Sequence, residues 1–121
     1  MKLFGERNPA PNPRRVRIFL AEKAIELAYE DVPLRKRAHK SPEFRAKNSL
    51  GQVPVLELDD GTTISECTAI TEYLDHLDGE PTLTGRTGKE RAIIHMMQRR
   101  AETMLMPSAR DIARWRRRGR R

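Results

Sequence analysis

Gln52-Val53-Pro54-Val55-Leu56-Glu57-Leu58-Asp59-Asp60-Gly61-Thr62-Thr63-Ile64-Ser65-Glu66-Cys67-Thr68-Ala69-Ile70 is the stretch whose reading decides the fold. Residues 53–58 are apolar and β-prone, and Asp59-Asp60-Gly61 is a hairpin signal leading into Thr62-Thr63-Ile64, so two antiparallel neighbouring strands are expected. Ser65 stands where it can cap a helix whose Ile70, Tyr73, Leu74 and Leu77 form one apolar stripe, closed by Asp78-Gly79-Glu80-Pro81.

Upstream, residues 2–7 read as a strand with Leu3 and Phe4. It is ended by Asn8-Pro9-Ala10-Pro11-Asn12-Pro13, whose prolines suit neither a helix interior nor a central strand. From Arg14, the spacing of Val16, Phe19, Leu20, Ala24, Leu27 and Ala28 predicts a helix, with Pro13 in the first turn. Val32 and Leu34 alternate in a second strand over 30–35, an edge or interrupted one because of Pro33. Ser41-Pro42-Glu43 has the form of a helix start, with Ser41 as cap, and that helix ends near Asn48. The sum is an α/β domain of order βαβ, a helix, then ββα over residues 1–80.

Beyond it, residues 81–86 are a linker, and Thr87-Gly88-Lys89-Glu90 fits a capping box opening a helix over 87–106. Ala92, Ile93, Ile94, Met96, Met97, Ala101, Met104 and Leu105 surround more of that helix than one seam, which implies two packing partners. The chain has 121 residues, enough for one domain and a fragment of another. Its net charge of +7 is uneven: residues 107–121 hold seven Arg against Asp111, net +6, and the remainder is nearly neutral. The Arg-rich end with Trp115 reads as a solvated, disordered tail, so nucleic-acid binding through it is the remote option. One cysteine, Cys67, excludes a disulfide framework and a cysteine-rich zinc site. His76 and His95 lack a second ligand at metal spacing, and no metal is expected. Residues 83–90 depart from a phosphate-binding loop at Leu83 and Glu90. No apolar run or signal sequence is evident, so the expectation is a cytoplasmic protein with no membrane partner.

A proline opening the third strand of this order is a candidate for a cis peptide, which would turn the backbone of Val53 outward to pair with a peptide-like ligand. The first amides of the helix after Ser65 suit a carboxylate, and Glu66 beside them suits an ammonium group. A ligand carrying both an α-amino and an α-carboxylate group fits.

With these residues the chain resembles the glutathione transferases, through their thioredoxin-like N-terminal domain, of a theta- or tau-like bacterial type. The resemblance covers residues 1 to about 106, and its strongest pieces are Pro11-Asn12-Pro13-Arg14-Arg15-Val16-Arg17, residues 48–56 and residues 64–74. It implies glutathione as co-substrate, with Val53 pairing with the cysteinyl backbone and Pro54 as the cis-proline. Glu66 and Cys67 hold the γ-glutamyl end, His39 and Lys40 the glycyl carboxylate, and Gln52 is an auxiliary contact. It further implies transfer of the glutathione thiolate to a small electrophile, and family dimers make a homodimer the assembly to test.

Two departures accompany the resemblance. Where the family carries a Ser or Cys that donates to the glutathione sulfur, this chain has Ala10. Asn12 is the remaining side-chain donor nearby and the candidate catalytic residue, able to stabilise a thiolate without titrating. The helical domain that completes the electrophile pocket is represented by its first helix alone, and the switch at Pro107 carries the expectation of a frame shift or a truncated gene. Two function classes stay open: a weak transferase, and a non-catalytic glutathione-binding or protein-interaction module.

Overall fold

The computed structural model describes residues 1–8 and 10–105; the Arg-rich stretch from residue 107 falls outside them. Two compact units divide the chain, Met1–Gly79 and Glu80–Arg121.

In the first unit, strands β1 (Lys2–Gly5), β2 (Ala28–Asp31), β3 (Val55–Glu57) and β4 (Thr63–Ser65) form one sheet in the order β2-β1-β3-β4. β1 and β2 are parallel, and β3 is antiparallel to both β1 and β4. Helix α1 (Pro11–Glu22) crosses between the parallel pair, α2 (Pro42–Lys47) precedes β3 and α3 (Cys67–Asp75) follows β4. This is the thioredoxin-like βαβ-α-ββα architecture that the resemblance implied.

Because side chains alternate across a strand, each pairing feeds two cores. Leu3 opposite Leu56 faces a cluster with Val16 of α1 and Cys67, Ile70 and Leu74 of α3. Phe4 opposite Val55 faces the other way, into a cluster with Val32, Val53 and Phe44 of α2. The Phe4 and Phe44 rings meet edge to face at 6.4 Å, a geometry that the ring quadrupoles favour. At the far ends of α1 and α3, Lys23 Nζ pairs with the fully buried Asp75 at 3.0 Å.

Several expected elements shift. Helix α1 begins at Pro11 rather than Arg14, with Ala10 as its cap; Pro11 and Pro13 fit because first-turn amides lack intrahelical acceptors anyway. The second strand is Ala28–Asp31, not 30–35. β1 offers partners only as far as Gly5, which lies opposite Asp31. The chain then leaves the sheet as Val32 N–H donates to Gly5 O at 2.7 Å and Pro33 offers no donor. Its continuation is two short 3-10 turns, Leu34–Lys36 and Ala38–Lys40. Ser41 caps α2 as expected, its hydroxyl accepting from Phe44 N–H at 3.2 Å. Ser65, in contrast, stays in the ladder opposite Val55, and the cap of α3 is Glu66. α3 ends at Asp75, which leaves Leu77 outside the helix and exposed.

In the second unit, α4 (Gly88–Arg100) opens with the capping box: Glu90 N–H donates to Thr87 Oγ1, and Thr87 N–H donates to Glu90 Oε2. The α-helix ends earlier than 106, passing into a π-helical turn, Ala101–Leu105, in which Thr103 Oγ1 donates to Arg99 O at 2.9 Å. No residue of α4 is buried, and Ile93, Met96 and Met97 are exposed. Among the described residues no helix is long and apolar enough to cross a membrane.

Candidate functional site

The segments expected to carry the site gather at the end of the sheet where β1 and β2 finish and where β3 begins. The Val53–Pro54 peptide is cis. The Val53 side chain is buried in the Phe4 cluster, yet its backbone N–H and C=O have no hydrogen-bond partner among the described residues. Buried or half-buried main-chain groups are almost always paired, so a residue with both groups open just ahead of a strand is a docking edge for another backbone.

The turn before Val53 is built by Asn48 and Gly51, which were not among the expected site residues, together with Lys40, which was. Asn48 is buried; its Nδ2 donates to Gln52 O at 2.9 Å and its Oδ1 accepts from Leu50 N–H at 3.2 Å. Gly51 has φ +56, and a Cβ there would stand 2.6 Å from the His39 carbonyl oxygen. Lys40 Nζ crosses to the same turn, donating to Leu50 O at 3.1 Å and Gly51 O at 2.9 Å. An Asn closing a helix three residues before a Gly was the available sequence signal for this turn.

On the other flank, Glu66 is exposed, with φ 72 and ψ 127, a backbone state that non-glycine residues rarely hold. Its C=O accepts the first bond of α3, from Ile70 N–H at 3.0 Å. Cys67 is buried, and its Sγ donates to Asn12 O at 3.4 Å, which fastens the first turn of α1 to the first turn of α3. The geometry therefore brings together Asn12 with Cys67, and Lys40 with the turn leading to Val53.

Other expected residues are less engaged. The Asn12 side chain is exposed, as is that of Gln52. Ala10 makes no side-chain cap bond. It lines an open groove of about 430 Å³ on α1 together with Pro11, Arg14, Arg15 and Ile18. His39 Nδ1 is buried without a hydrogen-bond partner among the described residues. Burial first, then the neighbouring charges of Lys40 and Arg37, push the His39 pKa below its ordinary 6.5, so the ring is neutral at pH 7. Among the described residues no group of three or more His, Cys, Asp or Glu is arranged to hold a metal ion.

The family model for the glutathione S-transferase N-terminal domain matches residues 10–77. Glutathione S-transferase 2 of Saccharomyces cerevisiae is 60% identical over 98 residues, which are 79% of this chain and 42% of that protein. The crystal structure of Gtt2 from the same yeast superposes with a TM-score of 0.80 at 57% identity, covering 84% of this chain and 50% of that one. Maleylacetoacetate isomerase of Rattus norvegicus is 40% identical over 87 residues, 69% of this chain and 39% of that protein. The chain belongs to the glutathione S-transferase family. It spans less than half the length of these curated relatives.

Proposed function

We propose that the chain binds glutathione along the Val53 edge and presents the glutathione thiolate to an electrophile. The observation that carries this reading is the open backbone N–H and C=O of Val53. A cysteinyl residue laid antiparallel beside Val53 satisfies both groups. From that anchor the γ-glutamyl end runs to α3, where the Glu66 carboxylate accepts from its ammonium group and the leading amides meet its carboxylate. With its thiol directed at the Asn12 carbonyl, Cys67 contributes through its backbone N–H.

The glycyl carboxylate runs the opposite way. Lys40 carries the charge there: two of its three ammonium donors hold the Leu50 and Gly51 carbonyls, and the third is available to the ligand. The neutral His39 supplies shape and a hydrogen bond, and Gln52 an auxiliary one. At the sulfur, the Asn12 amide stabilises the thiolate once the thiol proton passes to solvent. The thiolate then forms a C–S bond to the electrophile, and the leaving group departs with its bonding pair. The groove beside Ala10 offers apolar surface to the rest of that substrate.

A second reading, a non-catalytic glutathione-binding or interaction module, is favoured by Ala10, which offers no side-chain donor to the sulfur. Calorimetric titration with glutathione, paired with Glu66→Ala, tests the shared part: millimolar or tighter binding abolished by the substitution is expected. No heat from the folded protein removes the assignment. Conjugation of glutathione to a generic aryl halide then separates enzyme from binder.

A further inference from the structure

Glu6, the first residue past β1, is 4% exposed, and its carboxylate is shared between two chain segments. Oε1 accepts from Asn8 N–H at 3.0 Å and from Asn8 Nδ2 at 2.9 Å. Oε2 accepts from Leu34 N–H at 2.8 Å. Asn8 lies on the segment leading to Ala10 and Asn12. Leu34 opens the two turns that end at His39 and Lys40, and its amide is the first donor after the donorless Pro33. A parallel bond, Arg7 N–H to Asp31 Oδ1 at 2.9 Å, joins only the ends of the strands and is exposed.

Three donors converge on Glu6, so an acceptor-only group is required. An ionised carboxylate meets all three, whereas a carboxamide of the same shape turns an N–H toward either Asn8 or Leu34. The Leu34 and Asn8 amides hold the Glu6 carboxyl below the usual carboxylate range, aided by Arg35, so it is an anion at neutral pH.

We propose that Glu6 is a positioning residue for the glutathione site, setting the Ala10–Asn12 flank and the His39–Lys40 flank in one register through its two oxygens. The proposal rests on the glutathione reading above. Its distinguishing content is joint control: loosening this carboxylate moves both flanks, although most of α1 and all of β2 lie between them in the chain.

The test compares Glu6→Gln with Ile25→Ala, a partly buried core change outside every site segment. Binding of glutathione is read by calorimetry, and the backbone amide signals by NMR. Glu6→Gln is expected to weaken glutathione binding about tenfold, the scale of one charge-assisted hydrogen bond. It is also expected to shift the amides of Ala10 and Asn12 and those of residues 38–40 together. Ile25→Ala is expected to lower the melting temperature while leaving affinity and those amides as in the wild type. Should Glu6→Gln fail to fold, Asn8→Ala, which removes one of the two Asn8 donors to Oε1, serves in its place, with a loss of about threefold. Wild-type affinity in the variant, amide shifts confined to one flank, or an equal loss of affinity in Ile25→Ala each overturns the proposal. If the wild-type protein binds no glutathione, the reading of the site fails by itself. The tie is then judged by the amides alone, and joint movement of both flanks upholds it.

Discussion

Gly51 shows how narrowly the site's turn is drawn. Its φ of +56 suits a residue without a Cβ, and a Cβ would press on the His39 carbonyl at 2.6 Å, a backbone atom that cannot swing aside. Gly51→Ala is therefore expected to cost about 2 kcal/mol in urea unfolding, by strain and by displacement of the 38–40 turn, and to weaken glutathione binding in the same titration. Glu66 presents the complementary case, since it holds a φ of 72 with a full side chain. Sequence reasoning placed the cap at Ser65 because Ser is the better cap type. The ladder decides otherwise: Ser65 pairs with Val55, so the chain can turn only at the next residue. The cis peptide at Val53–Pro54 was legible, because a proline at a strand start carries that conformational option in its own residue type. Glu6 and Asn48 were not, because each acts through side-chain bonds to backbone groups whose proximity only the folded chain creates.

Among the elements, α4 is the one whose start was most fully written in its sequence. Thr87 and Glu90 satisfy each other's backbone donors, and Glu90 Oε2 also accepts from Arg86 N–H at 2.9 Å. With no buried residue to anchor it, α4 depends on this cap. Thr87→Ala is expected to cost the helix about 1 kcal/mol, seen as faster hydrogen exchange of the amides of residues 90–94. The end of α4 was less legible: apolar spacing continues through Leu105, yet the α-helical bonding stops at Arg100, near where Thr103 bonds back to the Arg99 carbonyl. β2 was misplaced for a related reason. Val32 and Leu34 alternate like a strand, but a strand extends only as far as its partner, and β1 ends at Gly5.

At the scale of the molecule, the carboxyls of Glu6, Glu43, Asp60 and Glu90 are held below their ordinary values by hydrogen bonds, chiefly from backbone amides. Each folded carboxyl gives up its proton more readily than its unfolded counterpart, so the unfolded chain binds more protons and stability rises with pH through that interval. Their contribution is complete above the ordinary values of about 4 to 4.5 and is lost as pH falls through the lowered ones. Melting temperatures between pH 7 and pH 3 are expected to fall on the acid side, and less steeply in Glu6→Gln. The outcome that contradicts this is an unchanged slope in that variant.

The sheet ends on one side at β2, and the residues it presents are Ala28, Glu30 and Asp31, all exposed, with Tyr29 half-covered. A terminal strand is a template on which a foreign strand can grow, and charge is one of the means by which proteins discourage such growth. Glu30 and Asp31 thus act as gatekeepers: two like charges repel an identical strand laid edge to edge, and Lys2 Nζ, 3.1 Å from Glu30, engages only one of them. The short acidic β2 is thereby a poor template for the edge-to-edge joining of sheets from two copies of this chain.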